Sequence, residues 1–129
     1  MITVSRIDDK VILEVEGWDK LWAFRARLEI PLEHIHDART EHPSTAEILG
    51  GLRLLGTGLP GVIKAGTFYQ QGKWVFWDVH NTDNVVVIDL VHDHYDKLVI
   101  EVADPAGVVG LISSWKLESY RNPPSQQFS

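Results

Sequence analysis

Residues 97–112 read KLVIEVADPAGVVGLI, and in this stretch a strand pattern passes directly into a helix pattern. Residues 97–102 alternate apolar side chains with charged ones, a period of two that is typical of a half-buried strand. Asp104 is a favourable N-cap, and Pro105 suits the first helical position, where the missing N–H costs nothing. The stretch therefore predicts a strand followed by a helix over about residues 105–117.

The predicted helix carries one apolar stripe. Four side chains fall within about 100° of arc on a helical wheel, namely Val108, Leu111, Ile112 and Trp115. We expect the helix to pack by this stripe. Gly107 and Gly110 lie in its interior, where each costs about 1 kcal/mol against alanine, and a close backbone approach would compensate for that cost.

Upstream, the first strands are also marked by local patterns. Residues 2–7 and 11–15 are apolar-rich runs separated by Asp8, Asp9 and Lys10, which suit a tight hairpin turn. The clearest alternation in the chain follows, and it predicts a long half-buried strand over residues 22–30. Its apolar positions are Trp22, Phe24, Ala26, Leu28 and Ile30, against Arg25, Arg27 and Glu29 on the other face.

Pro31 is expected to end the pairing of that strand, because proline has no N–H to donate. Residues 32–39 are then predicted to form a bent continuation with Ile35 inward. The alternation stops in residues 40–61, a long loop with five glycines and two prolines. Within it, Ser44 and Glu47 have the spacing of a capping box, which favours one helical turn.

Four further strands are predicted after this loop, over residues 62–69, 74–79, 85–91 and 97–102. Short turns join them, and the simplest arrangement is an up-and-down meander. Residues 85–91 are nearly continuous in apolar side chains, which indicates a central strand. With these elements the chain is predicted to be mainly β, with about seven strands and one C-terminal helix.

Length and charge narrow the class of protein. The chain has 129 residues, 12 Lys plus Arg against 18 Asp plus Glu, a net charge of −6 and no cysteine. This length supports one hydrophobic core, and the absence of cysteine excludes disulfides, thiolate metal sites and a cysteine nucleophile. An acidic balance does not favour nucleic-acid binding. No signal-peptide or transmembrane pattern is present, so we expect a cytoplasmic protein.

An aromatic cluster is the main candidate for a binding surface. Alternation sends Trp74 and Phe76 to one face of their strand and Trp77 to the other, so the outer face needs a cover. The long loop is one candidate cover, and another subunit, a peptide or a ligand is the second. The predicted partner-binding residues are Trp74, Phe76, Trp77, Leu52, Leu54, Leu55, Leu59 and Pro60.

The best metal candidates are His92, His94 and Asp96, which offer several ligands within one turn. In a meander, residues 80–84 and 92–96 lie at opposite ends of the intervening strand, about 20 Å apart, so the two polar turns cannot share one ion. With no further ligand in view, ordinary solvated turn histidines are favoured, and the sequence predicts no cofactor.

Residues 56–61, GTGLPG, match a GxGxxG pattern. A dinucleotide-binding loop follows a strand and opens a helix, whereas here a strand is expected next. We interpret the motif as a turn in which glycine permits positive φ and Pro60 stiffens the corner.

Four features occur together in this chain, namely the order of elements, Ile30-Pro31-Leu32 followed by Ile35, the GTGLPG string and the closing LVIEVADPAGVVGLI. In these features the chain resembles bacterial pleckstrin-homology-like domain proteins. The resemblance covers most of residues 1–117 and implies that they form one domain, a small antiparallel β-barrel capped by the C-terminal amphipathic helix. The composition of residues 118–129 predicts a disordered tail. The resemblance also implies a noncatalytic role and homo-oligomers, but it assigns no functional residue.

These observations lead to three functional hypotheses. The first is a noncatalytic binding or assembly module that binds a protein partner or a second copy of itself. The alternative is a small-ligand or metal-binding barrel, with possible enzymatic activity, centred on His92, His94 and Asp96. Weak binding to anionic membrane lipid ranks third, and no small-molecule ligand is identified.

Overall fold

The computed structural model describes residues 2–15, 27–43 and 64–121. This part of the chain is mainly β, as predicted, and it ends in a helix. The strands are β1 (Ile2–Ile7), β2 (Lys10–Val15), β3 (Arg27–Pro31), β4 (Ile35–Thr40), β5 (Lys64–Gln70), β6 (Lys73–Val79), β7 (Val85–Leu90) and β8 (Lys97–Glu101), and the helix is α1 (Pro105–Arg121). Short 3-10 turns cover Leu32–His34 and Thr82–Asn84.

The first sheet has the order β1-β2-β3 and is antiparallel throughout. Ile7 pairs with Lys10 across Asp8 and Asp9, so the predicted hairpin is confirmed. Asp8 has φ 56°, a left-handed conformation that aspartate tolerates in tight turns. In β3 the predicted alternation also holds, since Leu28 and Ile30 are buried.

The chain changes sheets at Pro31. This residue is the last of β3 and pairs with Lys10, after which the Leu32 N–H donates to Asp9 O at 2.8 Å. The 3-10 turn then leads into β4, which belongs to the second sheet. The expected bent continuation of one strand is therefore wrong, because the turn redirects the chain, although Ile35 is buried as predicted. Residues 22–26 of the expected long strand lie outside the described residues.

The second sheet has the order β4-β7-β8-β6-β5, which corrects the predicted meander. β8 lies between β7 and β6 and runs parallel to β6, with Val75 opposite Lys97 and Asp78 opposite Ile100. β7 is an interior strand, as its apolar run indicates. β8 is the middle strand and is buried on both faces, so Glu101 is buried where alternation predicted exposure.

The two sheets are not closed into a barrel. Among the described strands, no ladder joins the first sheet to the second, and eight strands take the place of about seven expected. The sheets instead share a hydrophobic core with α1. Its buried members are Ile2, Val11, Leu13, Leu28, Ile30, Leu32, Ile35, Phe76, Val86, Ile88, Leu90, Leu98, Ile100, Val102 and Ile112.

A second buried cluster lies on the opposite face of the five-stranded sheet. Its members come from the alternate positions of β6, β7 and β8, and they are Val75, Trp77, Val79, Val85, Val87 and Val99. Both faces of this sheet are therefore apolar, which is why its strands contain nearly continuous runs of apolar residues.

The start of α1 is as predicted. Asp104 Oδ1 accepts the Gly107 N–H at 3.1 Å, and Pro105 is the first helical residue. A Cβ on Gly107 would collide with the Asp104 carboxylate, so the close approach at this glycine is made by the capping side chain. Gly110, by contrast, has nothing within 4 Å of its added Cβ position, so no neighbour compensates for its cost.

The packed face and the end of α1 differ from expectation. Ile112 is 1% exposed, whereas Leu111 is 46% exposed and lies outside the contact. Val109 packs against the core instead, together with Val108 and Trp115, because this set is centred on Ile112 and residue 111 is about 100° away from it. The helix continues to Arg121, so residues 118–121 are helical rather than part of a tail. Residues 122–129 lie outside the described residues.

Among the described residues, no helix combines the length and the apolar character needed to cross a membrane.

The helix contact gives a matched stability prediction. We expect Ile112→Ala to lower the free energy of unfolding by about 2–5 kcal/mol, because it leaves a cavity in the shared core. Leu111→Ala removes the same kind of side chain from an exposed position and should change the free energy by about 0.5 kcal/mol or less. Urea denaturation of both variants measures the difference. Equal losses would contradict the packing of α1 through Ile112.

Candidate binding surface

Four aromatic rings meet at the surface where the β5–β6 hairpin contacts loop 91–96. We call this set, Tyr69, Trp74, His94 and Tyr95, the aromatic patch. Tyr69 is 63% exposed and Trp74 is 44% exposed, although both are large aromatic side chains. His94 is exposed as well, and Tyr95 is half-buried at the inner side of the patch.

The hairpin places the first two rings side by side. Gln71 and Gly72 have φ values of 53° and 80°, the pair of positive angles that a type I′ turn requires. Gln70 therefore pairs with Lys73, and Tyr69 lies directly opposite Trp74. Their ring centroids are 5.0 Å apart at an interplanar angle of 64°, an edge-to-face contact. A local turn thus determines which aromatic residues form the pair.

Loop 91–96 is held by backbone hydrogen bonds at both ends. The Val91 N–H donates to His34 O at 2.8 Å, and the Leu90 N–H donates to Asp96 O at 2.9 Å. At the other end, the Asp96 N–H donates to Trp74 O at 2.8 Å, and the Trp74 N–H donates to Asp96 Oδ2 at 2.9 Å. This last pair of bonds joins the loop to the start of β6.

Side chains complete the attachment of the loop. His34 Nδ1 and Asp93 Oδ2 are 2.8 Å apart, and both side chains are largely shielded from solvent. The Tyr95 hydroxyl is hydrogen-bonded to Thr67 Oγ1 at 2.9 Å, and the Tyr95 ring packs edge-on against Phe76 at 5.8 Å. Tyr95 therefore covers Phe76 and closes the core at this point.

His94 extends the patch outward. Its ring lies nearly parallel to Trp74, with centroids 6.4 Å apart and an interplanar angle of 15°. It also contacts the edge of Tyr95 at 5.0 Å. Because the loop backbone is held on both sides, the patch is largely preorganised.

The predicted partner-binding residues have different environments. Trp74 presents surface, whereas Phe76 is 8% exposed and Trp77 is 2% exposed on opposite faces of the sheet, as their alternation predicts. Trp77 Nε1–H also donates to Gln70 Oε1 at 2.8 Å. Leu52, Leu54, Leu55, Leu59 and Pro60 lie outside the described residues, as does the GTGLPG motif.

The predicted partner-binding residues did not include Tyr69, His94 or Tyr95, which all contribute to this surface. A signal for Tyr69 was present, because a two-residue turn at Gln71 and Gly72 places it opposite Trp74. No local signal existed for His94 and Tyr95. They reach the patch because β8 lies next to β6, which is a property of the strand order.

The proposed metal ligands do not converge. His94 packs on Trp74, Asp96 accepts the Trp74 N–H, and His92 has a left-handed φ of 57° in the loop rather than a strand conformation. Within residues 2–15, 27–43 and 64–121, no group of three potential ligands has metal-binding geometry. A His-x-His spacing places two rings on one side only in an extended strand, and the left-handed φ of His92 shows that this segment is not one.

The polar turn after β6 is held by a buried carboxylate at the other end of the sheet. Glu101 Oε1 accepts the His80 N–H at 2.7 Å and the Asn81 N–H at 2.8 Å. His80 Nδ1 is 3.7 Å from the same oxygen. Glu101 thus anchors the turn to β8, and residues 80–84 remain far from loop 91–96, as expected.

An ion-pair network lies on the edge strand β4. Arg39 binds the carboxylates of Asp89, Asp37 and Glu41. Burial of the guanidinium lowers its pKa, but the hydrogen bonds to Asp89 and Asp37 together with the negative charges of Asp89 and Glu41 outweigh this effect, so the pKa is raised above its ordinary value. The contact with Asp89 links β4 to β7, and we assign it a structural role.

Comparisons of this chain with protein-family models, with curated proteins and with solved structures found no match.

The bond between Asp96 and Trp74 can be tested by substitution. We expect Asp96→Ala to lower the free energy of unfolding by about 1–2 kcal/mol, because the Trp74 N–H loses a charged acceptor. Asp96→Asn keeps an oxygen in the same place and should lose less. Urea denaturation measures both values. Wild-type stability in Asp96→Ala would show that this hydrogen bond does not stabilise the loop.

The metal alternative has a direct test. We expect calorimetric titration with zinc chloride to give the same weak response for the wild type and for the His92→Ala/His94→Ala double variant, because these side chains do not converge on one point. Stoichiometric tight binding by the wild type, lost in the double variant, would contradict this reading of the loop.

Proposed function

We propose that this protein is a noncatalytic binding module that uses the aromatic patch to bind a protein partner or a second copy of itself. One observation carries the proposal. Tyr69 and Trp74 are 63% and 44% exposed, and they lie on a β-hairpin whose neighbouring loop is held in place by hydrogen bonds. An isolated monomer gains no stability from exposing such rings. A partner that covers them removes their apolar surface from water, which is favourable.

The physical chemistry of interfaces supports this use of the patch. Tryptophan and tyrosine dominate binding energy in protein interfaces because they bury a large area and lose few rotatable bonds. Here the rings contact one another, and the loop backbone is already ordered by its bonds to His34 and Trp74. Binding therefore requires little further ordering, which leaves more of the contact energy for affinity.

The polar side chains near the patch support a noncatalytic role. Asp93 is paired with His34, Asp96 accepts the Trp74 N–H, and the Tyr95 hydroxyl is bonded to Thr67. Each of these groups holds the loop in place. A binding surface needs this kind of support more than it needs a reactive group.

The relation to bacterial pleckstrin-homology-like domains and a cytoplasmic location are part of the same proposal. The features that support the relation are mostly antiparallel strands followed by a C-terminal helix that packs on the core, whereas the described strands do not form the closed barrel that the resemblance implied. The parallel pairing of β6 with β8 also departs from the antiparallel barrel that the resemblance implied. The proposed role therefore depends on the aromatic patch and not on the resemblance.

Replacement of the two exposed rings tests the proposal. Light scattering coupled to size exclusion, at several concentrations, measures whether the wild type has a mass of 14.6 kDa or a multiple of it. If it is a monomer, cross-linking in a cytosolic extract identifies its partner. We expect the Tyr69→Ala/Trp74→Ala double variant to lose the multimer or the cross-linked partner, because both exposed rings are removed.

The matched control is Tyr120→Ala, which removes a ring that is 73% exposed on α1. This variant should behave like the wild type. Circular dichroism checks that all variants are folded. A multimer or partner that persists in the folded double variant would overturn the proposal, and so would a wild type that has neither.

A further inference from the structure

We propose that the group bound by the aromatic patch is an arginine side chain in a basic segment of a protein partner. The inference rests on the proposed function and identifies the chemistry that the same surface recognises. It is carried by the combination of exposed aromatic rings with the exposed carboxylate of Asp96 and by the position of the neighbouring lysines on the opposite face of the sheet.

The exposed rings of Tyr69 and Trp74 favour a planar cation. The faces of tryptophan and tyrosine carry negative electrostatic potential, so they attract cations, and arginine more often than lysine. Tyr69 and Trp74 are inclined at 64° to each other, so their planes form two differently oriented walls at the surface. A planar guanidinium can stack on one ring while its N–H groups remain in plane for hydrogen bonds.

The carboxylate of Asp96 next to Trp74 adds to this attraction. Asp96 Oδ2 accepts the backbone N–H of Trp74 at 2.9 Å, and Asp96 is exposed, so its carboxylate lies at the surface next to Trp74. A guanidinium over Trp74 would therefore meet a carboxylate oxygen next to the ring, and bonds of this charge-assisted kind are the strong ones.

The lysines that neighbour the patch in sequence lie on the other face of the sheet. Lys73 and Lys97 flank the patch in sequence, but alternation places them with Val75, Trp77 and Val99 on the opposite face of the sheet. Trp74 and Tyr69 face the other way, with Phe76. The charged side chain that lies next to Trp74 is thus the acidic one of Asp96.

Charge complementarity distinguishes this occupant from a purely apolar one. The whole chain has a net charge of −6, so a basic segment is also attracted at long range. An apolar segment would gain from the rings alone and would leave Asp96 to lose hydration without a partner, which is unfavourable. The patch therefore favours a cation with a flat, stacking surface.

The test uses the full chain and three synthetic peptides, acetyl-GSRLRSG-amide, the same peptide with citrulline at both arginines, and the same peptide with lysine. Citrulline keeps the planar shape but has no charge. Binding is followed by the NMR signal of the Trp74 indole N–H, which is assigned by its disappearance in Trp74→Phe. We expect the citrulline peptide to bind at least about tenfold more weakly, equivalent to about 1.4 kcal/mol.

Variants of the protein separate the contribution of the Asp96 charge from that of ring stacking. Asp96→Asn should weaken the arginine peptide about threefold to tenfold and leave the citrulline peptide unchanged, because an oxygen still accepts the Trp74 N–H while the charge is lost. The lysine peptide should lie between the other two. Tyr120→Ala should bind all three peptides as the wild type does.

Each outcome decides the inference. Equal affinities of the arginine and citrulline peptides would overturn it and would favour an apolar occupant, while the proposed function would stand. Failure of the wild type to bind the arginine peptide would also overturn it. The proposed function is judged separately, by the response of the multimer or cross-linked partner to the Tyr69→Ala/Trp74→Ala substitutions.

Discussion

The pair of hydrogen bonds between Trp74 and Asp96 is the constraint on which the aromatic patch depends. Trp74 is the second residue of β6, and Asp96 immediately precedes β8, so these bonds bring the starts of two parallel strands together. At the far end, the Glu101 carboxylate binds the backbone after β6. The β6–β8 pairing is thus anchored at both ends by side chains that belong to, or directly precede, β8.

This pairing gives one short strand three kinds of aromatic environment. Phe76 closes the shared core, Trp77 lies in the apolar cluster on the opposite face, and Trp74 is left at the surface where the strand begins. The two buried residues stabilise the sheet. Because they hold β6 rigidly, Trp74 and its neighbour Tyr69 are presented in a defined geometry, which is what a binding surface requires.

Local sequence patterns predicted a large part of the fold. The Asp8–Asp9 hairpin, the alternation at Leu28 and Ile30 and the capping of α1 by Asp104 are all present, because each depends on neighbours within a few residues. Two predictions were wrong, since Glu101 was expected to be exposed and is buried, and Leu111 was expected to pack on the core and is exposed. Both depend on which element lies alongside, and periodicity identifies a face without identifying what covers it.

The sequence by itself determined the element types, the turn that pairs Tyr69 with Trp74 and the candidate status of Trp74, since all of these follow from short-range geometry. Only the tertiary structure decided that β8 lies between β7 and β6, and with it that His94, Tyr95 and Asp96 join the hairpin. The physical reason is that strand order is decided by the joint burial of both faces of a sheet. That quantity is a property of all the strands together, and no single stretch of sequence contains it.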